Sequence, residues 1–497
     1  MISGRVSNLA WLKRFLSWKS IGAIFPSLLT LIFIVRFGVN VIVWDEIDFI
    51  PLVKVFFEDG PWLSYLIFPH NEHLVVFPGL VILANAALTS WNVVWEMLAG
   101  WLLINVSLVV VWRLLKETVT DSTWLIVPVS WLLFLFEQSG NYVSGFTPLQ
   151  WYMTTSFFLL SIYFLWYVPR VSVSFFFALL FAYLASFSSL LGLIVWPVGL
   201  GSFLKLSGGR KFIFLCGWLV AGAVATLTYL KLWLSGGFSG SITLDPVSVL
   251  EFVFAYLGSG LGAWTPTLNE VMTLNFHHLF IHVFWYYSLN SEYGSLVVGV
   301  LYSLAFVAAS YRVRHGLSLL TPWLQMAAFA SLAAVVTALG RIGSSGLDLA
   351  VSSRYVAVSV LFLIPGFVVI MRSFDVNHTT ARLRHCRITF LSLFVLSLFL
   401  GYVDGFERGV SLYFNMVMNL NCLHHLDSPA YRACLESGVY PDYNILLQRI
   451  AVLNKLCLGV LASCSNFSAV RVAIFVSAVA VISLVCWRLA KRLNRSK

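Results

Sequence analysis

Apolar residues fall along this chain in long runs separated by short polar segments, a pattern that repeats from Ile21–Val43 to Val470–Trp487. About 20 such residues carry one α-helix across a hydrocarbon core of roughly 30 Å. Between those two runs, spanning candidates fall near 74–92, 95–113, 123–136, 150–169, 173–186, 190–204, 212–233, 294–311, 319–339, 355–371 and 388–402. The short alternating segments of a transmembrane barrel are missing, so helices have to satisfy the backbone polar groups. The expected fold is all-α, a polytopic transmembrane bundle of about 11–13 spanning helices. The first run is too long for a signal-peptide core and no small-residue cleavage site follows it, so it reads as the first span. No linker or internal repeat divides residues 1–497, which are expected to form a single membrane domain. If every run crossed fully, Arg170 and the later basic loops would change sides, so one segment between 74 and 136 is expected to be short, re-entrant or interfacial.

Composition removes the soluble alternative: 60% of the 497 residues are hydrophobic and 10% charged. The net charge of +10 suggests nucleic acid only until its positions are mapped. Arg5, Lys13, Arg14, Lys19, Arg170, Lys205, Arg210, Lys211, Arg312, Arg314, Arg372, Arg382, Arg384, Arg387 and the tail from Arg488 lie between apolar runs. This is the positive-inside pattern; it predicts both termini in the cytoplasm and no nucleic-acid partner. Acids collect instead in the alternate loops, the long outer ones at 44–73, 234–293 and 403–467. Loops of that length are where binding or catalysis is expected. The last holds Cys422, Cys434, Cys457 and Cys464, from which two disulfides are expected with connectivity open and free thiols as the alternative.

The first outer loop opens with Trp44-Asp45-Glu46-Ile47-Asp48-Phe49 and closes with His70-Asn71-Glu72-His73. Three crowded carboxylates raise one another's pKa unless a cation or donor relieves them, which suits a general base or a ligand set; a solvated helix end is the plain alternative. The two imidazoles, amide and carboxylate suit sugar hydroxyls or a divalent metal ion, although as a zinc motif the spacing is weak. Between them, Val53–Phe57 and Trp62–Phe68 read as interfacial helices. Glu137, Asn141 and Gln150 add polarity at another outer edge, where a second acid could approach the first cluster. Arg341 and Arg354-Tyr355 bracket a Gly/Ser-rich loop and offer guanidinium forks for a lipid phosphate, against headgroup snorkelling as the alternative. Arg36, inside the first run, is expected to face protein or a cavity. His277, His278 and His282 are read as aromatic-belt packing.

Asp45-Glu46-Ile47-Asp48 resembles the first-loop acidic motif of the GT-C class of integral-membrane glycosyltransferases. The stretches Glu137–Gln150, Ser186–Pro197 and Ser353-Arg354-Tyr355, with the His-Asn-Glu-His element, are similar to a bacterial uncharacterised branch of that class. The resemblance implies inverting transfer of a sugar from a polyprenyl-phosphate donor to a glycan or glycolipid acceptor at the outer face, among membrane lipids. It implies Asp45, or failing it Glu46 or Asp48, as general base, and Arg341 or Arg354 on the departing phosphate. His70, Glu72, His73 and Glu137 would then orient sugar or metal, with no cofactor certain. The chain departs from better-known members in lacking a separate soluble domain after the membrane region. A transporter or lipid flippase is the main alternative, and a scaffold without chemistry the third; few ionisable residues at mid-span speak against coupled transport.

Overall fold

A computed structural model describes residues 18–119, 123–168, 173–205, 208–235, 245–264, 291–375, 381–426 and 428–459. The last expected span (469–487), His277, His278, His282, Cys464 and Arg170 lie outside these residues. Among the described residues the chain is helical, without a strand. In order, the helices that build the bundle are α1 (Trp18–Phe37), α2 (Ile50–Phe57), α3 (Trp62–Leu66), α4 (Val76–Thr89), α5 (Val94–Thr118), α6 (Ile126–Leu133), α7 (Phe146–Tyr167) and α8 (Ser174–Ser186). They continue as α9 (Gly208–Ser235), α10 (Pro246–Gly262), α11 (Ser291–Arg312), α12 (Leu317–Ser345), α13 (Ser353–Asp375), α14 (Ala381–His424) and α15 (Tyr443–Leu456).

Seven of these, α1, α5, α9, α11, α12, α13 and α14, are long and apolar enough to cross a membrane, as an integral membrane protein requires. Between residues 74 and 136 the short segments are α4, with 14 residues, and α6, with 8. The interior is built on α13 and α7, apolar all round and buried along most of their length, which is how a helix reads when protein covers every side. α1 stops at Phe37, so Arg36 sits in its last turn, exposed beside the Phe37 ring, and does not face a protected cavity mid-span as expected. An arginine one residue from a helix end reaches polar surroundings without crossing lipid.

Two outer segments expected as loops contain helix. Within 234–293, α10 starts at an N-cap where Asp245 accepts from Ser248 N at 3.1 Å, with Pro246 in the first turn. It packs along α11 at a separation only small residues permit: a Cβ on Gly258 would collide with the Ser295 carbonyl, and one on Gly299 with the Phe254 carbonyl. Those glycines and serines dilute the hydropathy that would mark a buried helix. Within 403–467, α14 runs unbroken to His424, 44 residues in all and therefore about 66 Å long, roughly twice the hydrocarbon thickness. Its C-terminal half lies against residues 136–139, where Gly405 meets the Phe136 carbonyl and Gly409 meets Phe33 and Ser139.

Replacing Gly258 with leucine is expected to force α10 and α11 apart, costing about 3 kcal/mol or more. A Gly258→Leu protein that melts at the wild-type temperature in detergent would contradict this packing.

Candidate functional site

The acidic motif is a single 3₁₀ segment, Trp44–Phe49, entered from extended backbone at Val43. With three residues per turn, positions 45 and 48 share one edge while 46 and 49 point elsewhere. The structure follows that rule: ligand atoms of Asp45, Asp48 and His70 lie within 4.8 Å of one another, whereas Glu46 and Phe49 are buried. Trp44 holds a left-handed φ of 51°, a strained conformation for so large a residue, immediately before Asp45.

Glu46 points into the protein, where it accepts the Phe146 N–H at 2.7 Å. Burial first, and the neighbouring Glu96 second, push its carboxyl well above the usual range. Asp48 is exposed and accepts the Tyr440 hydroxyl at 2.7 Å. Asp45 stands between His70, whose Nε2 is 3.8 Å from Oδ1, and a cavity of about 170 Å³ lined by Trp44, Glu46, Ser144, Thr147 and Met416. Burial works against its ionisation, but the His70 imidazole and then Arg354 outweigh it and hold the carboxyl below its ordinary value.

His70-Asn71-Glu72-His73 closes a two-residue turn: His70 N donates to His73 O at 2.8 Å and His73 N to His70 O at 2.9 Å. Asn71 supplies the left-handed residue at φ 51°. Residues facing each other across such a bridge project to the same side. The two imidazoles accordingly flank one site, His70 packing on Phe49 and Phe146 and His73 on Trp151. The turn is held from below by Tyr229, whose hydroxyl accepts Leu74 N at 2.9 Å and donates to Glu72 O at 3.3 Å.

His73 Nδ1 accepts the Leu190 N–H at 3.3 Å, which leaves the proton on Nε2, 3.3 Å from Glu72 Oε1. Burial lowers its pKa from 6.5 to about 4, against the pull of Glu72. Glu72 also pairs with Arg341; burial opposes its charge, yet His73 and Arg341 keep its carboxyl below the ordinary range.

No family model, curated protein or solved structure matches this chain. The site is therefore defined by its own geometry.

Arg354 opens α13 with its guanidinium over the Tyr355 ring, 5.2 Å from the centroid, and its Nε is buried without a hydrogen-bond partner. Tyr355 is buried against Trp151 and Tyr256, both at 5.3 Å. Asn141 donates to Ser353 O at 2.9 Å, bringing the 139–142 turn to the start of α13. Its Oδ1 is buried and unpartnered, as is Gln150 Nε2. Glu137 is engaged elsewhere. Arg408 reaches it at 2.6 Å while also pairing with Asp404 one helical turn away. Burial pushes the Glu137 carboxyl up and Arg408 opposes it.

The sequence reading missed Arg408, Tyr440 and Arg449. Arg408 carried one signal, its four-residue spacing from Asp404. Tyr440 and Arg449 carried none, because they belong to a C-terminal cap that returns to the first loop: Arg449 Nη1 donates to Ile47 O at 3.3 Å, and Lys455 pairs with Glu58 at 3.3 Å. A Cys422–Cys434 disulfide ties that cap to the end of α14, and Cys457 is also disulfide-bonded.

Chemically, Asp45, Asp48 and His70 offer two carboxylates and an imidazole to a divalent cation, and Arg354 offers donors to an anion.

The lowered pKa of His73 fixes a sign for stability against pH. Its neutral form is favoured by folding, so the contribution is whole above 6.5 and is lost as pH falls from 6.5 toward about 4. At about 1.4 kcal/mol per pH unit, the loss amounts to about 3 kcal/mol. Melting curves between pH 7 and pH 4 are expected to fall more steeply for the wild type than for His73→Gln; parallel curves would contradict the assignment.

Proposed function

We propose that this protein is a membrane glycosyltransferase of GT-C type, working at the outer face of a bacterial inner membrane with both termini in the cytoplasm. The donor is a polyprenyl-phosphate sugar and the acceptor a glycan or glycolipid hydroxyl. The reading rests on one observation: Asp45, held in its ionised form, borders a cavity on one side and the His70–Arg354 cluster on the other.

In this reaction Asp45 takes the acceptor hydroxyl proton as the acceptor oxygen bonds to the anomeric carbon. The anomeric bond to phosphate breaks from the opposite face, and polyprenyl phosphate leaves with the electron pair. A carboxylate with a depressed pKa is a weak base at rest, but it needs the proton only as the new bond forms. Arg354 meets the charge growing on the phosphate, because Arg341 is already paired with Glu72. Asn141 and Gln150, each with an unpartnered buried polar atom, are the donor and acceptor groups nearest in kind to sugar hydroxyls. A divalent ion on Asp45, Asp48 and His70 would neutralise donor phosphate in the same space, and it would take Asp45 out of the role of base. Glu46, buried and bonded to the Phe146 N–H, serves the fold.

Asp45→Asn is expected to insert and melt normally yet lose about 10²–10⁴ of the transfer rate from polyprenyl-phosphate sugars to the native envelope glycan. Wild-type transfer by Asp45→Asn, and equally by Asp48→Asn, would end the catalytic assignment. Arg354→Gln is expected to lower the rate by about 10²–10³. Movement of lipid or solute by the purified protein in vesicles, with no lipid-linked sugar consumed, would replace this function with transport.

A further inference from the structure

The end of the bundle remote from Asp45 holds a second group of cations. α13 begins with Arg354 at the acid cluster and carries Arg372 near its other end, about 27 Å away at 1.5 Å per residue. α12 runs the opposite way, from Gly316 at that far end to Arg341 at the acid cluster. The span matches a hydrocarbon core of roughly 30 Å, so the two ends meet opposite membrane surfaces.

At the far end, the close of α11, the start of α12 and the last turns of α13 enclose a cavity of about 130 Å³. Arg312 and Arg372 line it, both half-buried, and no carboxylate does. Neither guanidinium has an ion-pair or hydrogen-bond partner among the described residues. The third arginine nearby is occupied: Arg314 lies 4.2 Å from the Tyr311 ring centroid and donates to the Tyr311 carbonyl. The remaining wall is fixed and largely apolar. Thr118 accepts Trp323 Nε1 at 2.9 Å and donates to Leu114 O, and Leu319 and Leu320 complete the side. α12 begins there with no side-chain cap, which adds its positive pole to the same region.

Two half-buried cations sharing one cavity repel each other and are poorly hydrated, and an anion that accepts from both reverses that cost. We propose that this cavity seats a phosphate group, held by the Arg312 and Arg372 forks at the membrane surface opposite the Asp45 site. Guanidinium geometry suits two phosphate oxygens, and the leucine wall suits the glycerol end of a phospholipid, a combination found where basic pockets between helices hold lipid headgroups. This site is independent of the glycosyltransferase reading.

The test uses the full chain in detergent, titrated with short-chain phosphatidylglycerol or with inorganic phosphate and followed by thermal shift and native mass spectrometry. Arg312→Gln and Arg372→Gln, measured separately so that each retains one guanidinium, are expected to weaken binding at least roughly tenfold. Exposed Arg210 is the control, and Arg210→Gln is expected to leave binding unchanged. Phosphatidylglycerol bound and lost in the two variants, with inorganic phosphate ineffective, identifies a lipid headgroup. Inorganic phosphate bound and lost likewise identifies a free-phosphate seat. Affinity that neither variant changes, or that Arg210→Gln weakens as much, overturns the proposal.

Discussion

Glu46 joins the first loop to the helix bundle, and the rest of the site takes its position from that contact. Its buried oxygen accepts the backbone N–H of Phe146 at the first residue of α7, one of the helix-start donors that has no partner inside its own helix. Burying a carboxylate is costly unless it is neutralised or richly bonded; burial raises the Glu46 pKa, and that backbone N–H opposes the rise. Once Glu46 is turned inward, a 3₁₀ segment has to present Asp45 and Asp48 along one outer edge. The same constraint recurs at each buried acid nearby. Glu72 is relieved by Arg341 and His73, Glu137 by Arg408, and Glu96 by Asn85 Nδ2 at 2.8 Å and Trp91 Nε1 at 3.1 Å. Asp45 differs because its relief comes from His70 and Arg354 while it still borders open space.

Much of the membrane bundle was legible because apolar runs near spanning length have few other uses. The failures share a cause. In α10, Gly258, Ser259, Gly260 and Gly262 permit a close helix crossing and at the same time lower the hydropathy that flags a helix. The start of α10 did carry a local signal, Asp245-Pro246 with Ser248 after it, which is cap chemistry and invisible to a hydropathy window. In α14, the residues after the expected span 388–402 read as a loop, yet Asp404 and Arg408 are partners one turn apart on a helix that continues unbroken to His424.

For the site, the sequence brought forward Asp45, His70, Glu72, His73, Arg341 and Arg354, and the fold draws those from the first loop, α12 and α13 to one end of the bundle. It could not divide the three adjacent carboxylates into different roles. That division depends on a three-residue turn and on Phe146, a hundred positions away. Local spacing also gave no hint of Tyr440, because nothing near it in the chain requires a partner at Asp48.

The C-terminal cap gives the acid edge its second boundary. Asp48 is exposed, and a carboxylate free to turn in solvent holds no fixed geometry toward Asp45 and His70; the Tyr440 hydroxyl removes that freedom from one oxygen. Tyr440 is itself placed by a segment that the Cys422–Cys434 bridge ties back to α14, while Arg449 and Lys455 fasten α15 to Ile47 and Glu58. Each of these contacts falls on the first loop outside its Glu46 anchor. The loop is therefore held from the bundle side by a buried backbone contact and from the cap side by polar contacts that are exposed or half-buried. Asp45 lies between the two, which is why its edge remains ordered while still facing a cavity.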